Sequence, residues 1–292
     1  MIQAFTGLRA IACLILVVYR YLPQIESLKE GALQSVYFFF VLSGYLLMRR
    51  GLVDIQPSKN KQPVRFCNKN MLLSYLTKRL FRIYPAFIVS VFAYRAFLPD
   101  SPILDSLLLR AKGPRHFWTL RIELIFYLLM LPTVLIIISE LSILEFKYLR
   151  NSRWSLRIPF YLLVTLAITY VQIQKGNIRG GYSQRSNFLV HAPAFWNGCL
   201  GGIASNHLRI NEFNLKKQQR ILEALSYVLL IRIFFQNAFI AQSYLCLLQV
   251  HWIQNHIAQA PVYALFLLVL EITREKNSMT KAISSSLLLY MG

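Results

Sequence analysis

Two arginines enclose the first apolar segment of the chain. Residues 7–22 read GLRAIACLILVVYRYL, so ten apolar residues lie between Arg9 and Arg20. A separation of eleven residues closes to within about 20° of three helical turns, which would put both guanidinium groups on one face, ~16 Å apart along the axis. Such a group can extend to the lipid headgroups, or it can belong to a functional site within the membrane. The spacing leaves both possibilities open for Arg20.

A single carboxylate in the middle of a later apolar segment is the second candidate. Glu123 lies between Leu120 and Leu124, six residues inside that segment. A carboxylate is costly to bury in such surroundings without a partner. Arg121 is too close in sequence to face it on one helix, whereas Arg9 or Arg82 could reach it in the fold. A structural ion pair and a role in a site are equally compatible with this position.

The composition predicts an integral membrane protein. Hydrophobic residues make up 56% of the 292 residues and charged residues 15%, against about 25% charged residues in soluble domains. The net charge of +20 could suggest nucleic acid as a partner. The basic residues, however, cluster between apolar blocks, which is typical of cytoplasmic loops, so no nucleic-acid partner is expected. The four cysteines lack CxxC spacing, and no metal site is predicted.

Eight apolar blocks can be interpreted as transmembrane helices of ~20 residues, so the predicted fold class is an all-α polytopic membrane protein. The region 236–257 is not assigned by this pattern. The eight predicted spans are 4–22, 32–50, 84–99, 117–139, 158–174, 187–206, 221–240 and 258–273.

The loop charges predict the orientation of these spans. The segment 49–82 carries nine basic residues and one acid, Asp54, which indicates a cytoplasmic loop. By alternation both termini would then be cytoplasmic. The basic residues of this loop are Arg49, Arg50, Lys59, Lys61, Arg65, Lys69, Lys78, Arg79 and Arg82.

Five segments resemble, in the same order, the motifs of the acyltransferase-3 family of membrane O-acyltransferases. The second has the character of that family's FFVLSGF-type run, and the last matches its Phe-x-x-Gly-x-x-x-Gly helix more loosely. The segments are FTGLRAIACLILVVYRY, VYFFFVLSGYLL, RLFRIYPAF, FWTLRIELIFYLLMLP and HAPAFWNGCLGGIASN. The resemblance covers most of the chain and implies one membrane domain over residues 1–292.

The resemblance implies transfer of an acyl group, acetyl in many cases, from a cytoplasmic acyl-CoA donor to a hydroxyl. The acceptor would be an extracytoplasmic glycan or lipid-linked sugar. Acetyl-CoA would be a substrate, and no bound cofactor is expected. The donor phosphates require arginines, and the acceptor hydroxyl requires a general base. In a bacterial host the location would be the inner membrane.

Site residues follow from this resemblance. Arg9 matches the family arginine of the first helix and would bind the donor. Arg79, Arg82 and Tyr84 lie where the cytoplasmic loop enters the membrane; they could bind donor phosphates, although membrane anchoring explains most arginines at such a place. Gly44, together with Ser43 in VLSG, favours close helix packing over a role as nucleophile.

The main departure from the family pattern concerns the residue that would act as the general base. The position eleven residues after the first-helix arginine, normally histidine, is Arg20 here, and arginine stays protonated. His191, before Pro193, is the only histidine in a matched segment and so the candidate substitute base, together with Glu123. The family pattern places no base at this position, and a hydrogen-bonded structural role fits His191 better.

The chain also ends at the point where the family's Gly-x-x-Ser-Tyr motif would begin, which predicts that the last two helices of the family are absent. Both departures favour an alternative function, in which a catalytically degenerate relative acts as a binding or scaffold protein. A transporter is a third possibility, but the inverted repeats expected of many transporters are not evident. The acyl group, the acceptor and the oligomeric state do not follow from the sequence.

Overall fold

A computed structural model describes residues 3–22, 26–55, 69–97, 118–148, 163, 188–210, 219–235, 259–273 and 283. Within these ranges the structure is helical, which confirms the all-α class. The helices are α1 (Gln3–Tyr21), α2 (Glu26–Ile55), α3 (Lys69–Phe97), α4 (Trp118–Ile125), a single π-helical turn (Phe126–Met130), α5 (Leu131–Tyr148), α6 (Phe188–Ile210), α7 (Gln219–Phe235) and α8 (Ala260–Thr273).

The described helices correspond to seven of the eight predicted spans. The predicted span 158–174 falls outside the described residues apart from position 163, and so does the unassigned region 236–257. Thr119–Ile137 is the one described helical segment that is both long and apolar enough to cross a membrane. Shorter apolar helices cover Ala4–Tyr19, Ile221–Leu230 and Ala260–Thr273. The number of eight transmembrane helices therefore stays a prediction.

The third helix begins well before the predicted span. The hydropathy pattern predicted a start at residue 84, whereas α3 runs from Lys69 to Phe97 and includes Pro85 in its interior. The charges of Arg79 and Arg82 lower the hydropathy of this stretch, although the backbone continues as a helix through it. Both arginines consequently lie within a helix and not in the loop that precedes it.

The chain divides into two compact units, and the first comprises residues 1–50 and 193–292. In this unit α2 packs along α6 at very short range. An added Cβ at Gly198 would overlap the carbonyl oxygen of Val41, and one at Gly202 would lie 3.0 Å from the backbone nitrogen of Arg49. Glycines at a spacing of four residues let two helix backbones approach in this way. The loosely matched Phe-x-x-Gly-x-x-x-Gly motif thus has a packing explanation.

These contacts also give the direction of the helices in the first unit. Positions 41 and 49 of α2 meet positions 198 and 202 of α6, so the two helices run parallel. Along α8, Phe38 lies 5.7 Å from Tyr263 between ring centroids, and Arg49 pairs with Glu271, so α8 runs parallel to α2 as well. The predicted alternation gives these three helices the same direction across the membrane.

An aromatic and aliphatic core fills the first unit. Tyr45 is fully buried and meets the ring of Phe5 of α1 edge-on, with 5.6 Å between the centroids. Phe40 stacks on Phe195 of α6 at 4.6 Å. Gly44 approaches the carbonyl oxygen of Phe195 so closely that a Cβ would overlap it. The structure therefore places Gly44 in a helix-packing notch.

The second unit comprises residues 51–192, and its described helices are mainly α3 and the continuous stretch from α4 through α5. The α-helical pattern is interrupted at residues 126–130, where the backbone N–H of Leu131 donates to the carbonyl oxygen of Phe126. This one π-helical turn shifts the helix phase by about 100° relative to an uninterrupted α-helix. Single π-helical turns of this kind occur frequently at functional sites.

Candidate functional site

A cluster of aromatic and charged side chains surrounds the π-helical turn of the second unit. The hydroxyl group of Tyr127, inside that turn, donates a hydrogen bond to Oε1 of Glu123 one turn earlier. The guanidinium carbon of Arg79, on α3, lies 6.0 Å from the ring centroid of Tyr127 and 5.6 Å from that of Tyr75. We call Tyr75, Arg79, Glu123 and Tyr127 the π-turn cluster.

The π-turn cluster brings together two residues that the sequence predicted separately. Arg79 and Glu123 lie on different helices, and Tyr127 contacts both of them. One partner that the structure gives Glu123 is a phenol in its own helix, that of Tyr127; the proposed pairing with Arg9 or Arg82 stays a prediction. From the sequence, Tyr127 was notable only for its place in a matched motif. The signal for its role was its spacing of four residues from Glu123, which puts both side chains on one helix face.

This arrangement fixes the orientation of a carboxylate inside an apolar helix. Oε1 of Glu123 accepts the hydrogen bond of Tyr127, and the side chain is half-buried, so a ligand can reach part of it. The cation of Arg79 over the ring faces adds positive potential close by, through a type of contact worth about 0.5–2 kcal/mol. Such a group can accept a proton or hold a cationic or hydroxyl-bearing ligand.

The other predicted residues of the second unit take different positions. Arg82 is exposed, Tyr84 is half-buried, and the Tyr84 ring meets Phe87 edge-on at 6.1 Å. His191, in the first turn of α6, is buried, with 3% of its surface exposed. A general base must come within hydrogen-bond reach of the acceptor hydroxyl, and this burial favours the structural role for His191 over that of a base.

A second polar cluster, which was not predicted from the sequence, lies in the first unit. Nε of Arg49 is 2.5 Å from Oε1 of Glu271, in a pair whose side chains are 19% and 9% exposed. The Tyr45 hydroxyl group donates to the other carboxylate oxygen, Oε2, at 2.6 Å. Ser205 of α6 is hydrogen-bonded to Tyr45. We call Tyr45, Arg49, Ser205 and Glu271 the inner-end cluster, because all four lie towards the ends of helices predicted to finish on the cytoplasmic side.

A sequence signal for the inner-end cluster does exist. Glu271 is an acid in the last turn of an otherwise apolar helix, and an acid in that setting calls for a basic partner. The sequence offers several arginines at the cytoplasmic side, however, and nothing in their spacing selects Arg49. The sequence therefore indicates that Glu271 needs a basic partner, but it does not identify Arg49 as that partner.

The arginines of the first helix lie in one uninterrupted helix, as predicted. Arg9 is half-buried and lies four residues after Phe5, so both are on the same face of α1. Phe5 packs against Tyr45, so the Arg9 face of α1 is the face turned towards α2. The side chain of Arg20 lies outside the described part of the structure.

Together the helical fold and the glycine-mediated packing of the described residues define an all-helical protein with polar clusters among its helices, and one of the described segments, Thr119–Ile137, is long and apolar enough to cross a membrane. The particular family follows from comparison: the chain belongs to the acyltransferase-3 family, since the family model described as an acyltransferase domain matches residues 2–292. This membership supports a membrane acyltransferase in general terms. No curated protein and no solved structure matches the chain significantly.

Proposed function

We propose that this protein is an integral membrane O-acyltransferase. It transfers an acyl group of the acetyl type from cytoplasmic acyl-CoA to a hydroxyl of an extracytoplasmic glycan or lipid-linked sugar. The observation that carries the proposal is the family match over nearly the whole chain. The partly buried carboxylates and arginines of its helices support it, because charges in apolar helices are characteristic of functional sites.

For this reaction the protein must bind the donor, supply a base and keep water away from the thioester. The acceptor oxygen attacks the thioester carbonyl carbon, its proton passes to a base, and the carbon–sulfur bond breaks so that the CoA thiol leaves with a proton. Arginines bind the donor phosphates through charge-assisted hydrogen bonds. We assign this binding to Arg9 on α1, with Arg79, Arg82 and Tyr84 of α3 as further donor-binding residues. A water-poor site between the helices limits hydrolysis of the thioester.

Glu123 is the better candidate for the base. Arg20, at the position of the family histidine, cannot accept a proton, and His191 is buried. Glu123 is held by Tyr127 within the π-helical turn and is half-buried, so a substrate hydroxyl can approach the exposed part of its side chain. Tyr127 then acts as a positioning residue that fixes the carboxylate.

The test is acyl transfer by the purified full chain in lipid nanodiscs, with radiolabelled acetyl-CoA and the lipid-linked saccharides of host membranes as acceptors. Wild-type protein should label the saccharide fraction. Arg9→Ala should lower kcat/KM for acetyl-CoA by about ten- to a hundredfold, the value of one or two charge-assisted hydrogen bonds. Arg50→Gln, which removes an exposed arginine of α2, serves as the matched control and should retain activity.

The reverse substitution Arg20→His separates the enzyme from the degenerate scaffold. If wild-type protein transfers nothing and only the Arg20→His protein labels the acceptor, the natural chain is not an acyltransferase and the scaffold function is the correct one. If wild-type protein is active and Glu123→Gln abolishes transfer while acetyl-CoA still binds, Glu123 is the base. A Glu123→Gln protein with full activity would rule out that assignment.

A further inference from the structure

The inner-end cluster holds an arginine in one fixed orientation. Both carboxylate oxygens of Glu271 are engaged within the protein, Oε1 by Nε of Arg49 at 2.5 Å and Oε2 by the hydroxyl of Tyr45 at 2.6 Å. Tyr45 is itself immobilised, since it is fully buried and hydrogen-bonded to Ser205. Glu271 is therefore a holder of Arg49, and its own oxygens are not left for a substrate.

The Arg49 guanidinium retains donors beyond this contact. The group carries five N–H donors in a planar fork, and an approach through Nε occupies one edge of the plane. The contact with Glu271 is made through Nε, so the two terminal amino groups provide further donors. The Arg49 side chain is 19% exposed against 9% for Glu271, so the accessible part of the ion pair is the cation.

The inner-end cluster lies on the side of the helix bundle where the acyl-CoA donor is expected. Arg49 is four residues beyond Tyr45 near the end of the span predicted at 32–50, and Glu271 is in the last turn of α8. Since α2 and α8 run parallel, the two ends lie on the same side of the bundle. The charge pattern predicts that this side is cytoplasmic, where acyl-CoA is available.

Stability alone is a weak reason for such a cluster. A buried ion pair contributes little net stability, because the loss of hydration offsets most of the attraction between the charges. A phosphate, in contrast, gains from a guanidinium whose rotamer is already fixed, since little side-chain entropy is then lost on binding. Arginine with a carboxylate behind it is thus better suited to anion binding than to holding two helices together.

We propose that Arg49 binds a phosphate group of the acyl-CoA donor, and that Glu271 and Tyr45 are positioning residues that orient its guanidinium. This inference rests on the proposed function and adds a donor-binding residue that none of the sequence motifs indicated. Arg50, the next residue, is exposed and takes no part in the cluster.

The test measures CoA binding to the full chain in nanodiscs by isothermal titration calorimetry. Arg49→Lys keeps the positive charge and the pairing with Glu271 but removes the fork, and it should weaken CoA binding about tenfold or more, the value of one lost charge-assisted contact. Arg50→Lys is the matched control and should bind as wild type does. Pantetheine, which lacks phosphates, should bind equally to wild type and Arg49→Lys.

Dephospho-CoA then identifies the phosphate. If its binding is also weakened by Arg49→Lys, Arg49 contacts the diphosphate; if only CoA binding is weakened, Arg49 contacts the 3′-phosphate. Tyr45→Phe should raise KM for acetyl-CoA with little change in kcat, which a purely structural role would not produce. Equal CoA affinity for wild type and Arg49→Lys would overturn the proposal.

Failure of the proposed function and failure of the proposed role of Arg49 give different results. If wild-type protein binds no CoA at all, the proposed function itself fails; if wild type binds CoA and Arg49→Lys does so equally, only the role of Arg49 fails. Should the variant not assemble, phenylglyoxal modification of wild-type protein decides the question. CoA should slow modification of Arg49 but not of Arg50, as measured by mass spectrometry, and equal protection of both would contradict the proposal.

Discussion

The two polar clusters combine similar residues in opposite ways. In the π-turn cluster the acid Glu123 is held by a tyrosine one turn away in the same helix, and Arg79 lies over aromatic rings. In the inner-end cluster Glu271 forms a direct ion pair with Arg49 and a hydrogen bond with Tyr45, which lies 226 residues away in sequence. The first arrangement orients a carboxylate from within its own helix, and the second orients a guanidinium from a neighbouring helix. This difference leads to the assignment of proton transfer to one cluster and of anion binding to the other.

The largest expected effect is on the inner-end cluster. Arg49→Met leaves Glu271 without its cation, and removal of one member of a buried ion pair costs about 3–5 kcal/mol. The double variant Arg49→Met/Glu271→Leu should recover much of that loss, because both charges are then absent. Thermal unfolding in detergent micelles measures both. A double variant no more stable than Arg49→Met would show that the two side chains are not energetically coupled.

The next effect concerns the contact between α2 and α6 that positions the inner-end cluster. Gly198→Ala puts a methyl group onto the carbonyl of Val41 and should destabilise the protein by about 1–3 kcal/mol, as overpacking does. Gly51→Ala is the control, since the nearest atoms to its methyl group would belong to the flexible side chain of Leu135, at 2.7 Å. The thermal midpoints should therefore differ, with Gly51→Ala closer to wild type. The reverse order would contradict the packing.

A smaller effect is expected in the π-turn cluster. Tyr127→Phe keeps the ring beside Arg79 but removes the donor to Glu123, and a part-buried acceptor that loses its donor costs about 1–3 kcal/mol. A local hydrogen bond within one helix stabilises the fold less than an ion pair between helices does. The loss of stability in Tyr127→Phe should therefore be smaller than that in Arg49→Met. Activity should fall more steeply than stability, since Glu123 loses its orientation. Full acyl transfer by Tyr127→Phe would show that the Tyr127 hydroxyl group has no role in the site.

The smallest effect is expected for Arg82 of α3, and it is best compared with the effect at Arg79 of the same helix. Arg82 is exposed, so Arg82→Gln should change the free energy of unfolding by about 0.5 kcal/mol or less, as surface substitutions do. Arg79→Gln, which gives up the contacts with Tyr75 and Tyr127, should destabilise the protein more. Equal unfolding curves for the two variants would show that these ring contacts carry no energy.

Much of the fold could be predicted from local pattern. Apolar blocks predicted the positions of α1, α2 and α6 because a helix satisfies its backbone hydrogen bonds within one segment. The same criterion misplaced the start of α3, since the arginines at 79 and 82 made a helical stretch appear to be a loop. It also could not predict the π-helical turn, which depends on packing and not on composition.

The candidate site was predictable only in part. Arg79 and Glu123 were identified one by one, from motif position and from the cost of a charge in an apolar segment. Their common contact with Tyr127 required two helices to be placed side by side. The donor-binding role of Arg9 and the base role of Glu123 stay predictions for the experiments above.

The sequence by itself determined the all-α class, the acyltransferase-3 family, and the shared helix of Arg9 and Arg20, because each depends on residues close together in the chain. Only the tertiary structure decided which charges are partners. Arg49 was one of nine basic residues in its region, and Glu271 lies at the other end of the chain. Glycines at 198 and 202 bring the backbones of α2 and α6 together, and only the packing of α2 against α6 and α8 selects this pair.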